Sequence, residues 1–263
     1  MTSRHFDIAI IGSGIAGSAL ALAVKGSGLS VLLLDRRSGP LDTARGDHIQ
    51  PAMQPVLARW GVLDRLLKAG AERRAGTRWF DAEGTHIVTV PVPQHDDCGG
   101  AFLFLNHEKI GDILLKSAEE AGAVSISGLS DWALKRSIGL WDIEWLAGDQ
   151  SDVATCTVLV GADGTASTVR SHLKIGLDRH RYQYPIAVLY GRQHGVSDER
   201  TLDVYLAKER MVSLIPRTGG RTKVGFPVSP ADIGFWKTGS EDALRRRLAE
   251  WCPEVSFETL AFG

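Results

Sequence analysis

The stretch "FDIAIIGSGIAGSALALAV", residues 6–24, decides the fold. Phe6 to Ile11 is apolar apart from Asp7 and rich in isoleucine, as a buried strand requires. Glycines follow at 12, 14 and 17, and from Ile15 to about Lys25 the composition is that of an Ala/Leu-rich helix. A GxGxxG spacing carries information only between a strand and a helix, and here both are present. Gly12 permits the tight turn, Gly14 lets a pyrophosphate approach the backbone, and Gly17 lets the helix pack close to the strand. The helix N-terminus, around Ile15 and Ala16, presents its free N–H groups to the phosphates. Next comes "LSVLLLDRR" (29–37), a second buried strand ending in Asp35, with Arg36 beside it. An acidic residue about twenty positions beyond the glycines accepts hydrogen bonds from a ribose diol. The pattern implies a bound dinucleotide with an unphosphorylated adenosine ribose.

Composition bounds the rest. Of 263 residues, 44% are hydrophobic and 23% charged, and the formal net charge is −1. Nucleic-acid and anionic-membrane partners call for a basic excess, which this chain lacks. The densest basic run, Arg245 to Arg247, reads as the solvated face of a helix. Cys98, Cys156 and Cys252 have no CxxC spacing, which disfavours a zinc site or a disulfide framework and fits a reduced, cytoplasmic protein with no metal. The N-terminus lacks a secretory pattern, and no apolar stretch has the length of a membrane span.

Downstream of Asp35 the pattern departs from that of a simple nicotinamide dehydrogenase, in which strand–helix repeats would continue. "TARGDHIQPAMQPVLARWGVLDRLLKAG" (43–70) puts Arg45, His48 and Gln50 ahead of a helix with apolar spacing at Met53, Val56, Leu57 and Trp60, and a second short helix follows Gly61. Short alternating runs come next, "TRWFDAEGTHIVTVPV" (77–92) and "GAFLFLNHE" (100–108). Helical period returns over 109–123, and Trp141, Ile143 and Trp145 alternate on a half-buried strand. "VLVGADGTASTVR" (158–170) then takes another buried strand into a Gly/Asp turn and a helix.

Together, GSGIAG, Asp35, Arg45 at a helix start and GADGTASTVR resemble the FAD-dependent aromatic hydroxylases, the single-component flavoprotein monooxygenases with the p-hydroxybenzoate hydroxylase fold. The resemblance covers essentially the whole chain. It implies an α/β architecture: a Rossmann-type FAD-binding domain (1–75 and 105–178) with an inserted, mainly β substrate domain (76–104 and 179–263). It also implies bound FAD, NAD(P)H as transient electron donor, and O₂ activation through a flavin C4a-hydroperoxide. The substrate would be a small phenolic, polyketide or quinone-type molecule, hydroxylated or epoxidised. By resemblance, Asp163 and Gly164 close the flavin site from the far side, where a second helix N-terminus would add its dipole to the first. Arg45 is the candidate charged contact near the flavin, and His48 a candidate proton carrier. His107 stands where the family carries an arginine on the flavin side chain. Tyr190, Tyr205, Met211, Ser213 and Phe226 are candidate walls of the substrate pocket.

Three other readings share this pattern: an isoprenoid-saturating reductase, a halogenase, and a non-catalytic flavin-binding protein. The halogenase motif Trp-x-Trp-x-Ile-Pro maps onto "MVSLIP" (211–216), which lacks both tryptophans. The family's later Gly-Asp motif is not found before "FETLAFG" (257–263), so the sequence is expected to be an incomplete version of the folded unit, poorly soluble or inactive alone.

Overall fold

The computed structural model describes residues 4–39, 48–93, 100–180, 182–195, 201–207, 210–217 and 220–262. Strand β1 (Arg4–Ile11), helix α1 (Ile15–Ala23) and strand β2 (Val31–Asp35) form the unit expected from the opening stretch. Ala9, Ile10 and Leu32 to Leu34 are fully buried. Such burial on both faces is what parallel strands under helices require, hence the unbroken apolar runs.

The sheet has six strands, in the order Val124–Ser127, β2, β1, Gln150–Gly161, Leu140–Ala147, Leu129–Ser137. The first four run parallel and the last two are antiparallel additions. From β1 the chain crosses to β2 on one side, while Gln150–Gly161 pairs on the other. The strand order therefore reverses at β1. Loops leaving two such strands diverge and open a crevice at their carboxyl ends.

Two loops meet there. Gly12 has φ +109°, its N–H donates to Leu34 O (2.7 Å), and Ala162 N–H donates to Ile11 O (2.7 Å). A Cβ on Gly12 would lie 2.4 Å from Ala162 O, and one on Gly17 would lie 1.9 Å from Gly12 O. Backbone packs on backbone at both positions, so neither tolerates a side chain.

Residues 1–42 and 108–178 form one compact unit, and 43–107 with 179–263 form a second. This division differs from the sequence expectation over 43–75 and 105–107, which cluster with the second unit. His48–Ile49 and Glu72–Arg74 both pair with Phe102–Phe104 in a three-stranded sheet, which draws the segment in. The second unit is built on a seven-stranded sheet in the order Val255–Phe262, Ile186–Gly195, Arg221–Pro227, Arg210–Arg217, Thr201–Ala207, Gly76–Phe80, His86–Pro91. One face packs Leu189, Val212, Leu214, Val224 and Phe226 against Trp236, Leu244, Leu248 and Trp251 from the helices Ile233–Thr238 and Glu241–Ala249. On that face Arg78 grips Asp203 through two parallel bonds of 2.8 and 2.7 Å. The stretch 203–229 contributes to three antiparallel strands, Thr201–Ala207, Arg210–Arg217 and Arg221–Pro227. Cys156 and Cys252 are buried, and burial pushes their thiols up to about 11 and about 12.

Gly17→Ala tests the backbone contact. Alanine favours a helix by about 1 kcal/mol over glycine, yet overpacking of this kind costs about 1–3 kcal/mol. Urea unfolding should show a net loss of stability. Unchanged or raised stability would mean that the loops separate without cost.

Candidate functional site

Helix α1 begins at Ile15 with Gly14 as its N-cap, and no side chain caps it. Gly14 has φ −67° and ψ −171°, an extended geometry any residue adopts, so glycine there provides space and not conformation. The N–H groups at Ile15 and Ala16 thus have no side-chain cap, in the geometry that binds a phosphate.

Asp35 ends β2 and is 7% exposed. One carboxylate oxygen accepts from Ser13 N–H (2.8 Å), Ser13 Oγ (3.1 Å) and Arg37 Nη2 (2.9 Å). The other accepts from Arg37 N–H (2.9 Å) and Nε (3.4 Å). Burial opposes ionisation, but the bonds from Arg37 and Ser13 and the guanidinium charge outweigh it, holding the carboxyl below its ordinary value. Asp35 therefore ties the glycine turn to the end of β2. Arg37 provides the partner charge; Arg36 is exposed and makes no contact of this kind. Ser13 and Arg37 were not singled out from the sequence. Ser13 occupies a variable position of the glycine motif, and Arg37 stands two residues past Asp35, where a turn brings its side chain back.

Beside this cluster is a pocket of about 300 Å³ lined by Ser13, Asp35, Arg37, Gly111, Asp112 and Ser127, among others. It lies at the carboxyl ends of β2 and of Val124–Ser127, next to the turn. The uncapped helix end, the glycines without Cβ and this adjoining pocket fit a diphosphate with an adenosine attached.

The second loop behaves differently from expectation. Asp163 accepts from Ser167 Oγ (2.5 Å), Thr168 N–H (2.6 Å), Thr168 Oγ1 (2.9 Å) and Val169 N–H (3.1 Å). Burial works against its charge, and these bonds overcome it, so its carboxyl also lies below the usual range. Ser167 accepts from Arg170 N–H. The helix Thr168–His172 is thus short and capped by its own chain, and it offers no second free N-terminus. Gly164, at φ +84°, permits the turn. The Gly/Asp turn brings its backbone against Gly12.

The other expected residues are in the second unit. Arg45 lies outside the described residues. His48 stacks on Phe104 and meets Phe102 edge-on, each at 5.5 Å between ring centroids. His107 opens the helix His107–Glu120. Tyr190, Met211 and Ser213 stand on the sheet face opposite the two helices, since registers place them in line with Lys223, Leu206 and Val204 and out of phase with the core residues. Tyr205 and Phe226 point the other way. Tyr205 is buried and stacks on Phe80 at 4.8 Å, and burial, then the Asp203 charge, raise its phenol. Phe226 packs on Trp236 and Trp251. Strand alternation divides the five candidates: three share a face, and two are core. Among the described residues no three His, Cys, Asp or Glu side chains gather as metal ligands, and no helix is long and apolar enough to cross a membrane.

A family model described as "FAD binding domain" matches residues 5–232. The chain belongs to that family. It is 26% identical over 265 aligned residues to 3-amino-4-hydroxybenzoate 2-monooxygenase of Streptomyces cremeus, covering 97% of this chain and 64% of that protein. It is 24% identical to 6-hydroxynicotinate 3-monooxygenase of Bordetella bronchiseptica, covering 94% and 66%. The chain thus spans just under two thirds of the length of these relatives. Among solved structures, PqsL of Pseudomonas aeruginosa, described as a probable FAD-dependent monooxygenase, superposes with a TM-score of 0.76 at 20% identity, over 97% of this chain and 73% of that one. The α/β fold of the flavin monooxygenases and FAD as cofactor follow from the family.

Asp35 yields a prediction with a definite sign. Its folded-state carboxyl lies below the usual value near 3.9. Its contribution to stability is therefore complete above that value and lost as pH falls through the lowered one. Asp35→Asn should flatten the acid limb of the urea-unfolding profile below about pH 4. It should also weaken FAD about tenfold or more by freeing Ser13, an effect of the 1.5–3 kcal/mol size typical of bonds to charged groups. Parallel acid limbs, or wild-type FAD affinity by fluorescence titration, would refute this account of Asp35.

Proposed function

We propose that the protein is an FAD-dependent monooxygenase that takes electrons from NAD(P)H and inserts one atom of O₂ into a small phenolic, polyketide or quinone-type substrate. The observation that carries the reading is the uncapped start of α1 at the point where strand order reverses, with the pocket beside it. The names of the curated relatives support the reaction class. When bound, the flavin supplies hydride acceptance and oxygen chemistry.

The chain's own residues do the rest. Backbone N–H groups at Ile15 and Ala16 bind the diphosphate, which Gly14 allows to approach, while Gly17 lets the helix pack against the turn. Asp35 holds Ser13 and so fixes the turn, and the pocket flanked by Arg37, Asp112 and Ser127 receives the adenosine. In this reading the unit of 1–42 and 108–178 binds FAD, and the face carrying Tyr190, Met211 and Ser213 holds substrate and keeps water away. Arg45, His48 and His107 are assigned to the flavin's neighbourhood. The near-neutral charge and scattered cysteines favour a cytoplasmic protein with no nucleic-acid partner.

Turnover under ¹⁸O₂ with NAD(P)H and an accepted substrate should give product carrying one labelled oxygen. Product formed without label would overturn the monooxygenase reading in favour of a reductase of the same superfamily.

A further inference from the structure

Asp35 is saturated. A carboxylate offers about four acceptor positions, and five donors converge on this one: Ser13 N–H, Ser13 Oγ, Arg37 N–H, Arg37 Nε and Arg37 Nη2. A ribose diol that reaches Asp35 from the adjoining pocket needs two of those positions, so two donors must leave. The backbone donors are held in place. Ser13 follows Gly12, whose N–H is bonded to Leu34 O, and Ser13 O accepts from Ser18 Oγ (2.9 Å). Arg37 O accepts from Gly128 N–H (3.3 Å). The guanidinium is free to go. Asp35 is its one partner among the described residues, and the Nε bond, at 3.4 Å, is the longest of the five.

The exchange is even. Arg37 presents two side-chain donors to the carboxylate, and a ribose diol presents two hydroxyls. Replacing one pair by the other leaves Asp35 ionised and satisfied, with Ser13 tied to it in both arrangements. The Arg37 side chain is 45% exposed and that of Asp35 only 8%. A guanidinium so exposed regains water when it leaves, which makes the pair easy to open. The carboxylate has no such freedom, so the arginine is the partner that moves.

We propose that Arg37 is a latch on the adenosine end of the crevice: its guanidinium covers the acceptors of Asp35 and swings out about its own side-chain bonds before a ribose diol can bond there. Arg37 therefore works against nucleotide binding, the reverse of what a cation beside a diphosphate site ordinarily does. This rests on the reading of the crevice as the nucleotide site and is independent of the reaction the flavin performs.

The test compares ADP, which carries the ribose diol, with 2′,3′-dideoxy-ADP, which lacks it, in calorimetric titrations of the deflavinated full chain. Arg37→Met keeps the apolar stem and removes the donors. It should bind ADP about fivefold more tightly than wild type, the size one half-exposed ion pair supports, and 2′,3′-dideoxy-ADP with unchanged affinity. FAD, followed by fluorescence, should tighten by the same factor as ADP. Arg37→Lys keeps the charge and loses the paired grip; it should gain about twofold for ADP, and it decides the matter if the methionine variant does not fold. Lys25→Met removes the same charge from an exposed position just past α1 and should bind both nucleotides as wild type. Unchanged or weaker ADP binding in the Arg37 variants would overturn the latch, since the arginine would then be idle or would hold the nucleotide itself. Equal tightening toward both nucleotides, or the same gain in Lys25→Met, would overturn it too. Failure of wild type to bind ADP and FAD would overturn the nucleotide site itself, and the latch with it, so the two failures are distinguishable.

Discussion

The site depends on a contact in which no side chain takes part. Gly12 and the Ala162–Asp163 peptide occupy adjoining space at the end of β1, 2.4 Å from where a Cβ would stand. The same approach continues from Gly12 O to Gly17, so loop, helix and second loop are fixed together. Hydrogen bonds from Gly12 to Leu34 and from Ala162 to Ile11 hold both loops to the strands. The start of α1 can point at one place only because these backbones cannot move apart without losing those bonds. Its phosphate-binding geometry is a product of close packing.

Asp35 adds the electrostatic part of the same arrangement. A carboxylate this buried is costly unless its oxygens are satisfied, and Ser13 and Arg37 satisfy both. Asp163 solves the same problem within its own loop by capping the short helix after it. The two aspartates look alike in sequence, each ending a buried strand run. One faces a pocket and the other stabilises a turn, and the difference comes from the direction the chain takes after each.

This sets how much was legible. Periodicity and the glycine spacing identified β1, α1 and β2 because local rules decide them. The neighbouring strands β1 and Gln150–Gly161 are separated by more than a hundred residues, so only the resemblance linked GADG to the first glycines. The sequence does not show that Asp163 is consumed by its own helix. Nor does it separate Tyr205 and Phe226 from Tyr190, Met211 and Ser213, for which the register between strands is needed. The pairing of His48–Ile49 and Glu72–Arg74 was hidden for a similar reason: their partners, Phe102 to Phe104, come later in the chain.

The burial of two cysteines has a consequence for chemical durability. Peroxides attack the thiolate form of cysteine, not the thiol. Cys156 and Cys252 are enclosed in the cores of their respective units, with their ionisation moved to about 11 and about 12. At neutral pH fewer than about one in a thousand of either would be ionised, and neither is reached by solvent. In these two side chains, the sulfur that an oxidant would attack is kept in its least reactive form.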